Sequence, residues 1–108
     1  MYPARAMSAL VWIELDLGAP DHNLQQLRKG LKKGTILCAV VKANAYGHGL
    51  VEVGKYLEKE KIRYLAVGNL HEAITLRKNG VFTSILNFGP MVTEDSEQIV
   101  RQRISQSV

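Results

Sequence analysis

Several things are scarce in this 108-residue chain, and each scarcity removes a class of protein. One cysteine, Cys38, excludes an internal disulfide and any C-x-x-C zinc spacing. No apolar run reaches the roughly 18 residues of a membrane span. The longest runs, such as Ile36–Val41, are strand-sized. Aromatic residues are 6% of the chain and do not alternate with bases, which argues against a nucleic-acid surface. The charge is +4, but the Lys and Arg residues scatter in clusters at 28–33, 59–63, 77–78 and 101–103, and each cluster falls at or just past a predicted helix end. There a cation offsets the negative end of the helix dipole. Met1–Leu10 holds one arginine and no sustained apolar segment, so no secretory signal is read there. A reducing cytoplasm fits these features. Cys38, set within an apolar run, reads as a small buried hydrophobe.

What is present is alternation of element types. Residues 11–17, VWIELDL, put apolar and polar side chains on opposite faces of a half-buried strand, with Glu14 and Asp16 outward. Pro20 or Asp21 can open a helix with Leu24, Leu27 and Leu31 on one face and Gly30 or Gly34 at its end. Residues 35–41, TILCAVV, form an apolar run without alternation, as in a strand buried on both faces. The pattern repeats. A helix carries Leu50, Val53, Gly54 and Leu57, and ends near Lys59. A strand covers 62–67. Asn69 with Glu72 resembles a capping box for a helix whose packed face holds Leu70, Ala73, Ile74 and Arg77, with Gly80 as its stop. Further strands cover 81–88 and 104–108. Between them Thr93 can cap a helix whose first turn holds Glu94 and Asp95 and which runs through Gln98 to Gln102. Such alternation predicts an α/β fold with a parallel sheet, either doubly wound or a (β/α)8 barrel.

The segment AVVKANAYGHG, residues 39–49, carries the chemistry. Strand alternation puts Ile36, Cys38, Val40 and Lys42 on one side and Leu37, Ala39 and Val41 on the other. Lys42 thus belongs to an apolar set at the C-terminal end of a strand, where parallel α/β folds bind ligands. Apolar surroundings disfavour a charged amine, and a neutral amine can condense with an aldehyde. Pyridoxal phosphate (PLP) is the common aldehyde cofactor that needs such a lysine. Tyr46, four residues on, could donate to a phosphate oxygen. From position alone a solvated lysine and a surface tyrosine remain open alternatives. His22 and His71 read as helix-surface residues and His48 as a loop-packing residue; Asn44 is assigned no role.

AVVKANAYGHG is similar to the PLP-attachment motif of the alanine racemase family. WIELDLGAPDHNLQQLR, YLAVGNLHEAITLRKNG and ILNFGP resemble the neighbouring segments of that family, so the resemblance covers about residues 11–108. It implies the N-terminal part, about three and a half βα units, of a (β/α)8 TIM barrel. Residues 1–18 then lead in through a strand that joins a separate β domain, and 35–108 supply barrel units. It also implies that Lys42 holds PLP and acts on one face of the substrate α-carbon, and that Tyr46 contacts the cofactor phosphate. No metal is called for. The implied activity is interconversion of L- and D-alanine, with D-alanine supplied for peptidoglycan, by a cytoplasmic homodimer without nucleic-acid or membrane partners. In the family the second acid/base is a tyrosine from the C-terminal domain of the partner subunit. A closed barrel takes roughly 250 residues, so the resemblance implies a truncated chain. The alternatives are a catalytically inactive fragment or a PLP carrier of the racemase-like barrel type.

Overall fold

The structure, a computed structural model, describes residues 16–108. The described residues fall into two compact units, 16–35 and 36–108.

In the first unit, α1 spans Gly18–Gly30. The Asp16 carboxylate accepts a hydrogen bond from the Gly18 N–H at 2.9 Å. The helix therefore opens ahead of Pro20, whose missing N–H costs nothing within a first turn. Helix α1 ends at Gly30, with Leu31 extended. None of its residues is buried, so the Leu24–Leu27 stripe is not a packed face within this unit. The strand expected at 11–17 lies outside the described residues except at Asp16 and Leu17, which are not extended strand.

The second unit is a four-stranded parallel sheet: β1 (Cys38–Val40), β2 (Tyr64–Val67), β3 (Ser84–Asn87) and β4 (Ile104–Gln106). Each pair of strands is joined through helix, in turn a short left-handed turn (Lys42–Tyr46) followed by α2 (Leu50–Lys59), then α3 (Leu70–Lys78), then α4 (Ser96–Arg101). The strands lie side by side in sequence order, β1-β2-β3-β4. A doubly wound sheet reverses order at a switch point. This one never does, and right-handed crossovers stepping one way place every helix on the same face, as in the wall of a barrel.

The core lies between those helices and the sheet. Leu65, Val67 and Ile85 from the strands, Leu57 from α2, Leu76 from α3 and Ile99 from α4 are buried there. Burying each large apolar side chain contributes about 1.5–3 kcal/mol before entropy is charged against it. On α3 the buried apolar residues are Ala73 and Leu76, while Leu70, Ile74 and Arg77 are half-buried, a rotation from the face expected. Arg77 lies along the rim because its guanidinium donates to four carbonyls: Val81 at 2.9 Å, Thr83 at 2.8 Å, Gln102 at 2.8 Å and Arg103 at 3.2 Å. Asn69 caps α3 by accepting from the Glu72 N–H at 2.8 Å. Gly80, at φ +83°, stops it, with its N–H on the Arg77 carbonyl and the Val81 N–H on that of Leu76. Ahead of α4 a 3-10 turn runs Thr93–Asp95, and Thr93 is not the cap.

The opposite face corrects one expectation. Run 35–41 is extended only at 38–40 and is not covered on both sides: Cys38 and Val40 are exposed, Val40 at 44%. Leu86 and Ser105 share this inner face, which looks toward a barrel interior rather than toward helices. Cys38 is therefore an exposed thiol, not a buried one. Partial burial nevertheless pushes its pKa up.

Candidate active site

Lys42 leaves the sheet two residues beyond Val40, on the inner face, as strand alternation requires. Register places Val40 beside Ala66 and Ala66 beside Leu86, so one step further up the neighbours are Lys42, Gly68 and Phe88. The side chain follows that row. A Cβ built on Gly68 would touch the Lys42 Cβ at 3.4 Å and its Cδ at 3.9 Å, and Nζ ends 5.5 Å from the centre of the Phe88 ring. An ammonium over an aromatic face at this distance is attracted by the ring quadrupole. Lys42 is half-buried rather than enclosed.

The backbone after Lys42 has an unusual hand. Ala43, Asn44, Ala45 and Tyr46 have φ of 53–56°, so the chain makes a left-handed helical turn, closed by Gly47 at φ +90°. Each non-glycine residue in this region costs about 1–2 kcal/mol against the right-handed form, with asparagine the most tolerant. Several bonds hold the turn. The Ala45 N–H donates to Val41 O at 2.8 Å and Gly47 N–H to Ala43 O at 3.1 Å. His48 Nδ1 lies 3.0 Å from Ala45 O, so this exposed histidine tethers the loop by a polar contact rather than packing as expected. The Asn44 side-chain oxygen accepts from the Leu50 N–H at 2.8 Å, joining the turn to the start of α2. Glu72, only 8% exposed, accepts from the Gly68 N–H at 2.9 Å and the Asn44 N–H at 3.4 Å.

Sequence reasoning missed Asn44 and the carboxylate half of Glu72. A capping box would send that carboxylate to the N–H of Asn69. It goes instead to Gly68 and across to Asn44. Tyr46 sits at the end of the turn and is 60% exposed. His22 and His71 are exposed on helices, as read.

The exit of β3 is fixed by an amide pair that sequence reasoning also passed over. Asn87, fully buried, donates to the Gln106 side-chain oxygen at 2.9 Å and accepts from the Gly89 N–H at 3.0 Å, while Gln106 donates to Gly89 O at 2.9 Å. A polar residue closing an apolar strand was the available signal. Gly89 passes so near Gly68 that a Cβ on it would lie 1.8 Å from the Gly68 carbonyl oxygen. These contacts hold Phe88 under the lysine amine.

The fold and this end of the sheet define the first strands of a parallel barrel with a lysine at the ligand-binding end. A family model described as alanine racemase, N-terminal domain, matches residues 15–108, and the chain belongs to that family. It is 42% identical over 97 residues to an alanine racemase of Geobacillus kaustophilus, covering 90% of this chain and 25% of that protein. It is 40% identical over 96 residues to alanine racemase 1 of Caldanaerobacter subterraneus, covering 89% and 25%. Alanine racemase of Clostridium difficile 630, solved in complex with cycloserine, superposes with a TM-score of 0.82 at 43% identity, covering 85% of this chain and 25% of that one. The chain thus spans about a quarter of the length of these relatives.

Proposed function

We propose that this chain supplies the cofactor-anchoring part of a PLP-dependent racemase that interconverts L- and D-alanine. The observation that carries the reading is Lys42. It is an amine at the C-terminal end of the first barrel strand, laid across Gly68 and ending over Phe88.

The residues present fit the cofactor's chemistry. An amine suits an aldehyde carbon, the exposed Val40 and Phe88 (41% exposed) offer apolar surface to a planar ring, and the hydroxyl of Tyr46 can donate to a phosphate oxygen. When bound, PLP withdraws electrons from the substrate and makes its α-proton acidic. Lys42 would hold the cofactor through its aldehyde carbon, and its amine would take or return the substrate α-proton on one face of the α-carbon. Racemisation needs a second acid/base on the other face, and this reading expects it from the partner subunit of a homodimer. The expected setting is the cytoplasm and the expected use is D-alanine for peptidoglycan. The 108-residue chain alone is expected not to racemise alanine.

Borohydride reduction in the presence of PLP, followed by peptide mapping, tests the assignment. The label is expected on Lys42. A label on another lysine, or none in a chain carrying the whole barrel, would overturn it.

A further inference from the structure

We propose that Glu72 is a positioning residue for Lys42, clamping the left-handed turn behind the lysine to the loop that its stem lies against. The inference rests on the reading of Lys42 as the cofactor's anchor.

A first-turn glutamate ordinarily serves its own helix, from solvent, by complementing the positive end of the dipole. Glu72 departs from this in two ways. It is buried, and its carboxylate turns away from the cap of α3, which Asn69 already provides. One oxygen takes the N–H of Gly68, the residue packed against the Lys42 stem. The other takes the N–H of Asn44, two residues past Lys42 and 28 before Glu72 in the chain. A single carboxylate thereby spans both segments that bound the lysine. The second tether, Asn44 to the Leu50 N–H, fixes the far end of the turn. A turn of four non-glycine residues in the left-handed region has little local preference for its own shape. Released from Glu72, it is free to relax, and Lys42 with Tyr46 changes direction.

Both oxygens accept, and glutamine has only one acceptor oxygen. Glu72→Gln therefore keeps the volume and breaks one arm. In the full chain, residue-resolved hydrogen exchange is expected to speed up about tenfold at the Asn44 or Gly68 amide, the loss of one charge-assisted bond, while Ile85 in the core stays unchanged. The apparent PLP dissociation constant, read from the visible band of bound cofactor, should rise about tenfold, with less borohydride label on Lys42. Gly80→Ala weakens the far end of the same helix and is the comparison. It should leave the dissociation constant within about twofold. Exchange at both amides equal to wild type, or PLP loading equal to wild type, would overturn the proposal. So would equal loss of loading in Gly80→Ala. If the wild-type chain loads PLP on a lysine other than Lys42, the cofactor reading fails, while the exchange result still decides whether the clamp exists. Should Glu72→Gln fail to fold, Glu72→Asp keeps the charge but withdraws it by one methylene. Faster exchange at Asn44 is then expected, and unchanged exchange there overturns the clamp.

Discussion

Gly68 and Gly89 meet at the top of β2 and β3, and that meeting governs what the lysine can reach. At Gly68 a methyl would only touch Lys42 and Glu72. At Gly89 it would collide with backbone, which has no rotamer by which to yield. Gly89→Ala is therefore expected to cost about 2–3 kcal/mol, measured by denaturant unfolding, and to disturb the Phe88 side chain beneath the amine. Cys38 shows the opposite situation, a residue whose environment is open. Its thiol pKa is raised by partial burial alone. A raised folded-state value favours the protonated thiol, so any stability from this group is present below the ordinary thiol pKa and is lost as pH rises through the folded one. Iodoacetamide should label Cys38 with a pH midpoint above that of free cysteine. A midpoint at or below it would show that the thiolate is stabilised instead.

At the scale of elements, the two ends of the sheet divide their work. The end where strands begin is a locking point. Glu58 accepts from the Phe82 and Thr83 N–H groups at 2.6 and 2.8 Å, and Arg77 gathers four carbonyls from the segments leading into β3 and β4. Burial is the largest influence on the Arg77 pKa and lowers it, Glu58 raises it, and Arg103 lowers it. Arg77→Lys is expected to lose on the order of 2 kcal/mol of unfolding free energy, because an ammonium cannot reproduce the planar fork. Gly80→Ala should cost about 1–2 kcal/mol by forcing a side chain into the left-handed region. The end where strands finish carries Lys42, and the alternation that places it there was legible in VVK alone. So were the Asn69 cap and the Gly80 stop, since both act within a few residues. The hand of the turn at 43–46 was not legible, because part of what holds it comes from Glu72, far along the chain.

For the whole molecule, sheet edges decide behaviour in isolation. Among the described residues β1 and β4 each have one neighbour, and the inner face shows Val40 and Phe88 to solvent. Unpaired parallel edges beside an apolar face promote association. The isolated 108-residue chain is expected to run as oligomers or to precipitate. Sedimentation that finds a monodisperse monomer with one cooperative melting transition would contradict this.

Local chemistry in the chain was enough for the alternation of helix and strand from α1 to β4, the parallel character of the sheet, the caps of α3 and the position of Lys42 just past the end of β1, because each depends on spacing or on neighbours a few residues away. Periodicity left a barrel wall and a doubly wound sheet both open, the resemblance of AVVKANAYGHG implied the barrel, and the strand order bears that out, since order is a matter of which edges pair. Tertiary structure alone exposed Cys38, because burial depends on which elements cover a face. And it gave Glu72 and Asn44 their work, because a carboxylate meets an amide 28 residues away only after β1 and β2 have come together.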